Sequence, residues 1–282
     1  MKKAVNLLLI LVVLSLSGCS SINEVDEDKV KDISDKITEA IIHTTEKTRA
    51  ERQESHTVDA ENLSSINIKS SVGQIYIDTH KSQDALIELS IIAESGSAER
   101  SEQLINDFVY TVEKGNKSID IDTTYKDKTH ENENISTDLT VTVPENITNI
   151  IISLNVGDIH IKNINGKFEI NDNVGNIIVA NSQGNYNLST NVGDIKLGIN
   201  AADKKSKFVT NTGNINLDIK DIKDADSIKA VTNVGNVNIT VPDNSDYEAV
   251  IKEFMQKNRT ESNGNKNTKI EITTDIGKIS FN

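Results

Sequence analysis

The sequence predicts an all-β chain: a parallel β-solenoid of about 18–22 residues per coil, with a β-hairpin insertion and an N-terminal amphipathic helix. Three observations carry this. One phrase recurs, as Asn155-Val156-Gly157-Asp158-Ile159, Asn173-Val174-Gly175-Asn176-Ile177, Asn191-Val192-Gly193-Asp194-Ile195, Asn211-Thr212-Gly213-Asn214-Ile215 and Asn233-Val234-Gly235-Asn236-Val237. Its glycines stand 18, 18, 20 and 22 residues apart. Runs of alternating apolar residues flank each copy, such as Phe168-Glu169-Ile170 before and Ile195-Lys196-Leu197 after; that period of two marks strands with one buried face. Finally, only 4% of the 282 residues are aromatic and none is Trp, which suits a narrow core filled by Ile, Val and Leu.

Each repeat therefore reads as strand, tight turn, strand, return turn. The Asn-Val-Gly-Asp step fits a type II turn with glycine at the position that needs positive φ, so Gly157, Gly175, Gly193, Gly213 and Gly235 are expected as turn glycines. Return turns are expected at Asn165-Gly166-Lys167 and Gln183-Gly184-Asn185. Two outlying copies supply Gly73 and Gly277. They lie 84 residues before Gly157 and 42 after Gly235, close to four and two repeat lengths. Stacked coils would bury a continuous core and pair in parallel, and a right-handed wind is expected.

Three segments are expected: a lipoprotein signal peptide (1–18), a tether with an amphipathic helix (19–55) and the β-solenoid (56–282). Lys2 and Lys3 precede an apolar run from Ala4 to Leu16. Leu16-Ser17-Gly18-Cys19 then resembles the bacterial lipobox, cleaved before a lipidated cysteine. Cys19 is the chain's single cysteine and is the expected lipidation site. The apolar run is short for a membrane span of about 20 residues. Cleavage would remove two lysines and no acid, moving the net charge from −13 to −15. No internal disulfide could form, and nucleic acid is not an expected partner of so acidic a surface. Val25, Val30, Ile33, Ile37 and Ile41 place a narrow apolar stripe on a helix from Asp26 to Arg52, serving either as a stalk or as a cap on the solenoid.

From His56 the β pattern begins. Ile66 and Ile68 precede Gly73, and Ile75 and Ile77 follow it; Ala85 to Ile92 is a further strand. Ser95 to Asn106 loses alternation and reads as a short helix or loop. Phe108 to Glu113 and Ser118 to Thr123, joined at Lys114-Gly115-Asn116, make the hairpin. Tyr125 to Asn134 is a polar loop. Asp138 to Val143 is a strand stopped at Pro144, because proline cannot donate to a ladder. Tyr247 to Met255 is read as a strand, Gln256 to Lys266 as a polar loop, and Ile270 to Phe281 as the last coil.

This order of lipobox, polar helix, early glycine turn, hairpin, Val-Pro strand end and serial Asn-Val-Gly-Asp-Ile phrases resembles the bacterial "putative adhesin" domain family, which includes envelope-stress membrane proteins of the Lia type. The resemblance covers about residues 58–282. It implies a β-solenoid at the cell envelope and brings no catalytic residues.

The residues themselves offer no catalytic pattern. His43, His56, His80, His130 and His160 lack metal-ligand spacing, and neither a phosphate loop nor a Gly-x-Ser-x-Gly elbow occurs. Two columns stand out. Asn155, Asn173, Asn191, Asn211 and Asn233, continued by Asp275, would stack as a structural amide ladder. Asp158, Asn176, Asp194, Asn214 and Asn236 form a second column; its Asp158 and Asp194 raise the question of cation binding, but with the Asn176 rung between them they are too distant to share one ion. No cofactor or metal is expected. The expected function is a non-catalytic interaction or adhesin-like module, lipid-anchored on the outer side of the cell membrane, with an envelope protein or glycan as partner. A regulatory lipoprotein of envelope stress is the alternative, which rests on the resemblance; a polysaccharide-active enzyme is the other.

Overall fold

The structure, a computed structural model, describes residues 47–125, 132–253 and 258–282. The signal segment, Cys19 and the expected helix from 26 to 46 lie outside the described residues, as does most of the 125–134 loop.

Four strands come first: β1 (Thr48–Asp59), β2 (Ser65–Val72), β3 (Ile75–His80) and β4 (Asp84–Ser95). Helix α1 (Ala98–Asp107) follows. The side chain of Ser97 caps its start, accepting from the backbone N–H of Arg100. Arg52 reaches over from β1 to donate to the carbonyls of Ile105 and Phe108 at its other end, where cations are favoured. Next come β5 (Thr111–Lys114), β6 (Ser118–Thr123) and β7 (Asn134–Pro144). The regular part then runs through β8 (Asn149–Val156), β9 (Ile159–Lys162), β10 (Asn165–Val174), β11 (Ile177–Ala180), β12 (Gln183–Val192), β13 (Ile195–Ile199), β14 (Ala201–Ala202), β15 (Lys204–Thr212), β16 (Ile215–Ile219), β17 (Ala225–Val234) and β18 (Val237–Thr240). The chain finishes with β19 (Tyr247–Glu253), β20 (Arg259–Asn263), β21 (Thr268–Ile276) and β22 (Ile279–Phe281).

These strands form two large sheets. One runs β1-β4-β7-β3-β9-β11-β13-β16-β18-β22 and the other β20-β19-β21-β17-β15-β12-β10-β8-β2-β6-β5, with β14 beside β12. Between β8 and β18 the chain alternates between the sheets, and each strand pairs in parallel with its counterpart one repeat on. Phe168 stands beside Tyr186, and Ile177 beside Ile195. Period-two alternation turns the Ile, Leu and Val positions inward on both sheets. Phe168, Tyr186 and Phe208 stack in successive repeats, with ring centroids 4.8 and 6.1 Å apart. The Tyr186 hydroxyl is buried and finds no partner among the described residues. Tyr186→Phe should therefore stabilise the fold by about 1 kcal/mol, since an unmet buried polar group is removed and the ring stack kept. A denaturation midpoint that falls instead would show that the hydroxyl is used.

The expected hairpin is present as β5 and β6, and α1 fills the stretch from 95 to 106 that lacked alternation. Several expectations are corrected. Residues 48–52 do not end a helix: they open β1, which pairs antiparallel with β4 over its whole length, so the β region starts before the expected boundary at 55/56. Gly73 and Gly277 are not several coils away from the central array. Val72 pairs directly with Val156, and Val234 with Ile276. The intervening residues are spent on β4, α1, β5, β6 and β7 in the first gap and on β19 and β20 in the second, with antiparallel pairings. Part of the expected 256–266 loop is therefore strand β20.

The corners differ from the expected turns. Gly157 has φ +143°, far from the +80° or so of a type II turn. Its N–H donates to Val174 O at 2.9 Å and that of Ile159 to Asn176 O at 2.8 Å, so the corner's hydrogen bonds run to the next repeat rather than across the turn. The return corner comes earlier than expected, at Asn163 and Asn181, both with positive φ, while Gly166 and Gly184 lie within strands β10 and β12. Asn tolerates that left-handed backbone better than most residues.

Candidate interaction surface

The Asn-x-Gly-x corner brings three columns of side chains together along one edge of the stack. The first is exposed. Asn173 donates its amide to Asn155 Oδ1 at 3.1 Å, and Asn191 to Asn173; Asn211 reaches Asn191 at 3.0 Å and Asn233 reaches Asn211 at 3.4 Å. Each amide has two N–H groups and two lone-pair sites. Stacking uses one of each, so every inner rung keeps one donor and one acceptor for other partners.

The second column binds backbone. The Oδ1 of Asp158 accepts the N–H of Asn176 at 2.8 Å, that of Asn176 accepts Asp194 at 3.0 Å, and that of Asp194 accepts Asn214 at 2.8 Å. Asn214 and Asn236 continue the series to Asn236 and Lys278, both at 2.9 Å. Asp138 does the same for Gln74 at the other end. Burial alone would raise the Asp194 carboxyl, but the Asn214 N–H and the Lys196 ammonium 3.2 Å away outweigh it and hold it below its ordinary value. Both carboxylates are thus committed to the neighbouring repeat. Among the described residues, no group of three or more His, Cys, Asp or Glu is placed to hold a metal ion.

The third column was not foreseen. Val156, Val174, Val192, Val234 and Ile276 are 39–66% exposed and share one column, with Thr212 between Val192 and Val234. The alternation rule gave no warning, because these residues sit on the corner, where the chain leaves the period of two.

The described histidines are engaged separately. His56 Nε2 lies 2.9 Å from the Tyr110 hydroxyl, His80 Nε2 lies 2.6 Å from Asp84 O, and His160 stacks on Tyr76 with centroids 4.8 Å apart. His43 and His130 lie outside the described residues. A separate shallow concavity is lined by Lys167, Asn185, Asp203, Lys204 and Asp226. Burial, then the Asp224 charge, raises the Asp203 carboxyl there.

No protein-family model matches the chain, and no curated protein does. Among solved structures it is similar to a "putative adhesin" from Bacteroides fragilis, at 16% identity and TM-score 0.47, covering 82% of this chain and 97% of that one. A "putative cell adhesion protein" from Clostridium sporogenes gives 14% identity and TM-score 0.37 over 83% and 99%. A "putative lipid binding protein" from Parabacteroides distasonis gives 15% and 0.39 over 82% and 94%.

Proposed function

We propose that the chain is a lipid-anchored β-solenoid that works as a non-catalytic, adhesin-like interaction module on the outer side of the cell membrane. The observation that carries this reading is the stack itself. Its repeats spend their polar side chains on joining one coil to the next and present unbroken outward columns on a rigid frame, as at the Asn155 corner. A surface already ordered loses little entropy on binding. The lipobox at Leu16-Ser17-Gly18-Cys19 supports the anchor, with diacylglycerol on the cysteine sulfur and further acylation strengthening attachment. Residues 19–46 would then be the tether, shorter than first expected because β1 starts at Thr48.

The test is to feed cells a clickable fatty acid and compare the native chain with Cys19→Ala. The native chain should carry label and sediment with membrane, and the variant should lose both. A variant that still sediments, beside an unlabelled native chain, would make the apolar run at 4–16 the anchor and remove the lipid from the account.

A further inference from the structure

We infer that the corner band is a docking surface for an uncharged linear glycan lying along the axis of the stack. This deepens the reading of the chain as an interaction module and rests on it. Three adjacent columns make the band, starting at Ser153, Asn155 and Val156 and running strand by strand to Val231, Asn233 and Val234. Between those end rungs no position is charged, and Lys69 and Asp275 hold the next places at the two ends, although the chain is 26% charged with a net charge of −13. Such a strip does not suit a nucleic acid or other polyanion, which needs Lys and Arg against its charges. Nor does it suit a protein hot spot, which draws on Trp, Tyr and Arg, all missing from the band.

What the band does offer is regular. Each rung of the Asn column keeps one free donor and one free acceptor beside an exposed Val or Thr side chain, and rungs repeat about every 4.7–4.9 Å. A neutral sugar polymer presents the complement, hydroxyls that both donate and accept alternating with apolar C–H faces. At one end the band opens into a shallow concavity walled by Ser71, Thr124, Asn155 and Asn173, with Lys69 and Asp172 as the charged groups among its walls. Hydroxyls and amides dominate that lining too.

The experiment uses the full chain in mild detergent. Its binding to dextran, mannan and linear β-glucan, with hyaluronate as the anionic comparison, is measured beside Val174→Lys, Val192→Lys and Val192→Thr. Thr240→Lys, exposed on the other sheet, is the control. At least one neutral polymer should bind, with the Lys variants weakened about tenfold or more and Thr240→Lys unchanged. Val192→Thr copies Thr212 of the same column, so it keeps the fold and should weaken binding less. Neutral binding untouched by the Val variants would put the site on another face. Binding of hyaluronate alone, or of no polymer, would overturn the glycan assignment. In the latter case a fall from dimer to monomer in the Lys variants would make a second copy the occupant. Cell adhesion separates the two levels. If cells carrying the chain adhere better than cells lacking it and neutral glycans do not compete, the glycan assignment alone fails; if they adhere no better, the interaction reading fails.

Discussion

Gly193→Ala should abolish cooperative folding of the chain. A Cβ built on Gly193 lies 1.9 Å from the carbonyl oxygen of Gly175 in the neighbouring repeat, and that oxygen is backbone, so no side chain can swing aside. The backbone there also has φ +149°, a strained region for a residue with a side chain, costing roughly 1–3 kcal/mol by itself. To fit the methyl group the two repeats must part. That breaks the bond from Gly175 N–H to Val192 O and the bond from Thr190 to Gly175 O. The combined loss should exceed about 4–5 kcal/mol, a large share of a domain's usual 5–15. Gly198 is the contrast: nothing lies within 4 Å of its built Cβ, so Gly198→Ala should be neutral or slightly stabilising. Denaturant titrations of both variants decide this. Equal midpoints for the two would refute the close-approach argument.

Asp172→Thr should stabilise the protein at neutral pH and not in acid. Along the column that Asp172 shares, Thr190, Thr210, Thr232 and Thr274 donate their hydroxyls to the carbonyls of Gly175, Gly193, Gly213 and Gly235, at 3.2, 3.0, 2.9 and 2.8 Å. Asp172 holds the same place one repeat earlier, facing Gly157, and an ionised carboxylate has no proton to donate. It is only 6% exposed, and neither oxygen makes a well-formed hydrogen bond. Burial pushes its carboxyl up to about 6, helped by the nearby Asp158 charge, while the backbone N–H groups of Asn173 and Val174 pull less strongly the other way. Because the folded value is raised, the group's stabilising contribution is complete below about pH 4 and is lost as pH rises through about 6. At roughly 1.4 kcal/mol per unit, the shift corresponds to about 2–3 kcal/mol at pH 7.5. Subtracting the variant's stability from the native chain's cancels the other carboxylates. A difference that stays flat between pH 4 and 7.5 would rule out Asp172 as its source.

The repeat was legible because one corner imposes the same chemistry five times over. Gly must let the neighbouring backbone approach, and Asn and Asp must reach the next repeat, so identity is forced at fixed spacing. Other features leave no mark in the sequence, for physical reasons. Adjacency of Gly73 to Gly157 could not be seen, since an antiparallel excursion between two neighbouring strands leaves the pairing intact while adding residues. Strand β1 was hidden because it is an edge of its sheet. Its inward positions, such as Arg52 and His56, are long polar side chains that bond to Ile105 and Tyr110, and no apolar alternation marks them. In sequence the corner reads as a type II turn because Asn-Val-Gly-Asp satisfies its residue preferences. The sequence does not say that the N–H groups a lone turn would use internally are claimed by a stacked neighbour. In the candidate surface, the Asn column could be read from spacing; the exposed Val column could not, since residues at a corner obey no strand period.

The Asp158 column has a direction. In each link the backbone N–H of a later repeat donates to the side chain of the one before, and no link runs the other way. Each repeat is therefore a template with one receptive side. At the last one the position is held by Lys278, whose side chain has no acceptor, and with it the column of side-chain acceptors ends. Beside it the backbone of β22 is met by side chains: Glu253 accepts the N–H of Ile279, and Arg259 donates to the Ile279 carbonyl. The column that joins one repeat to the next thus ends where side chains take over from a further strand.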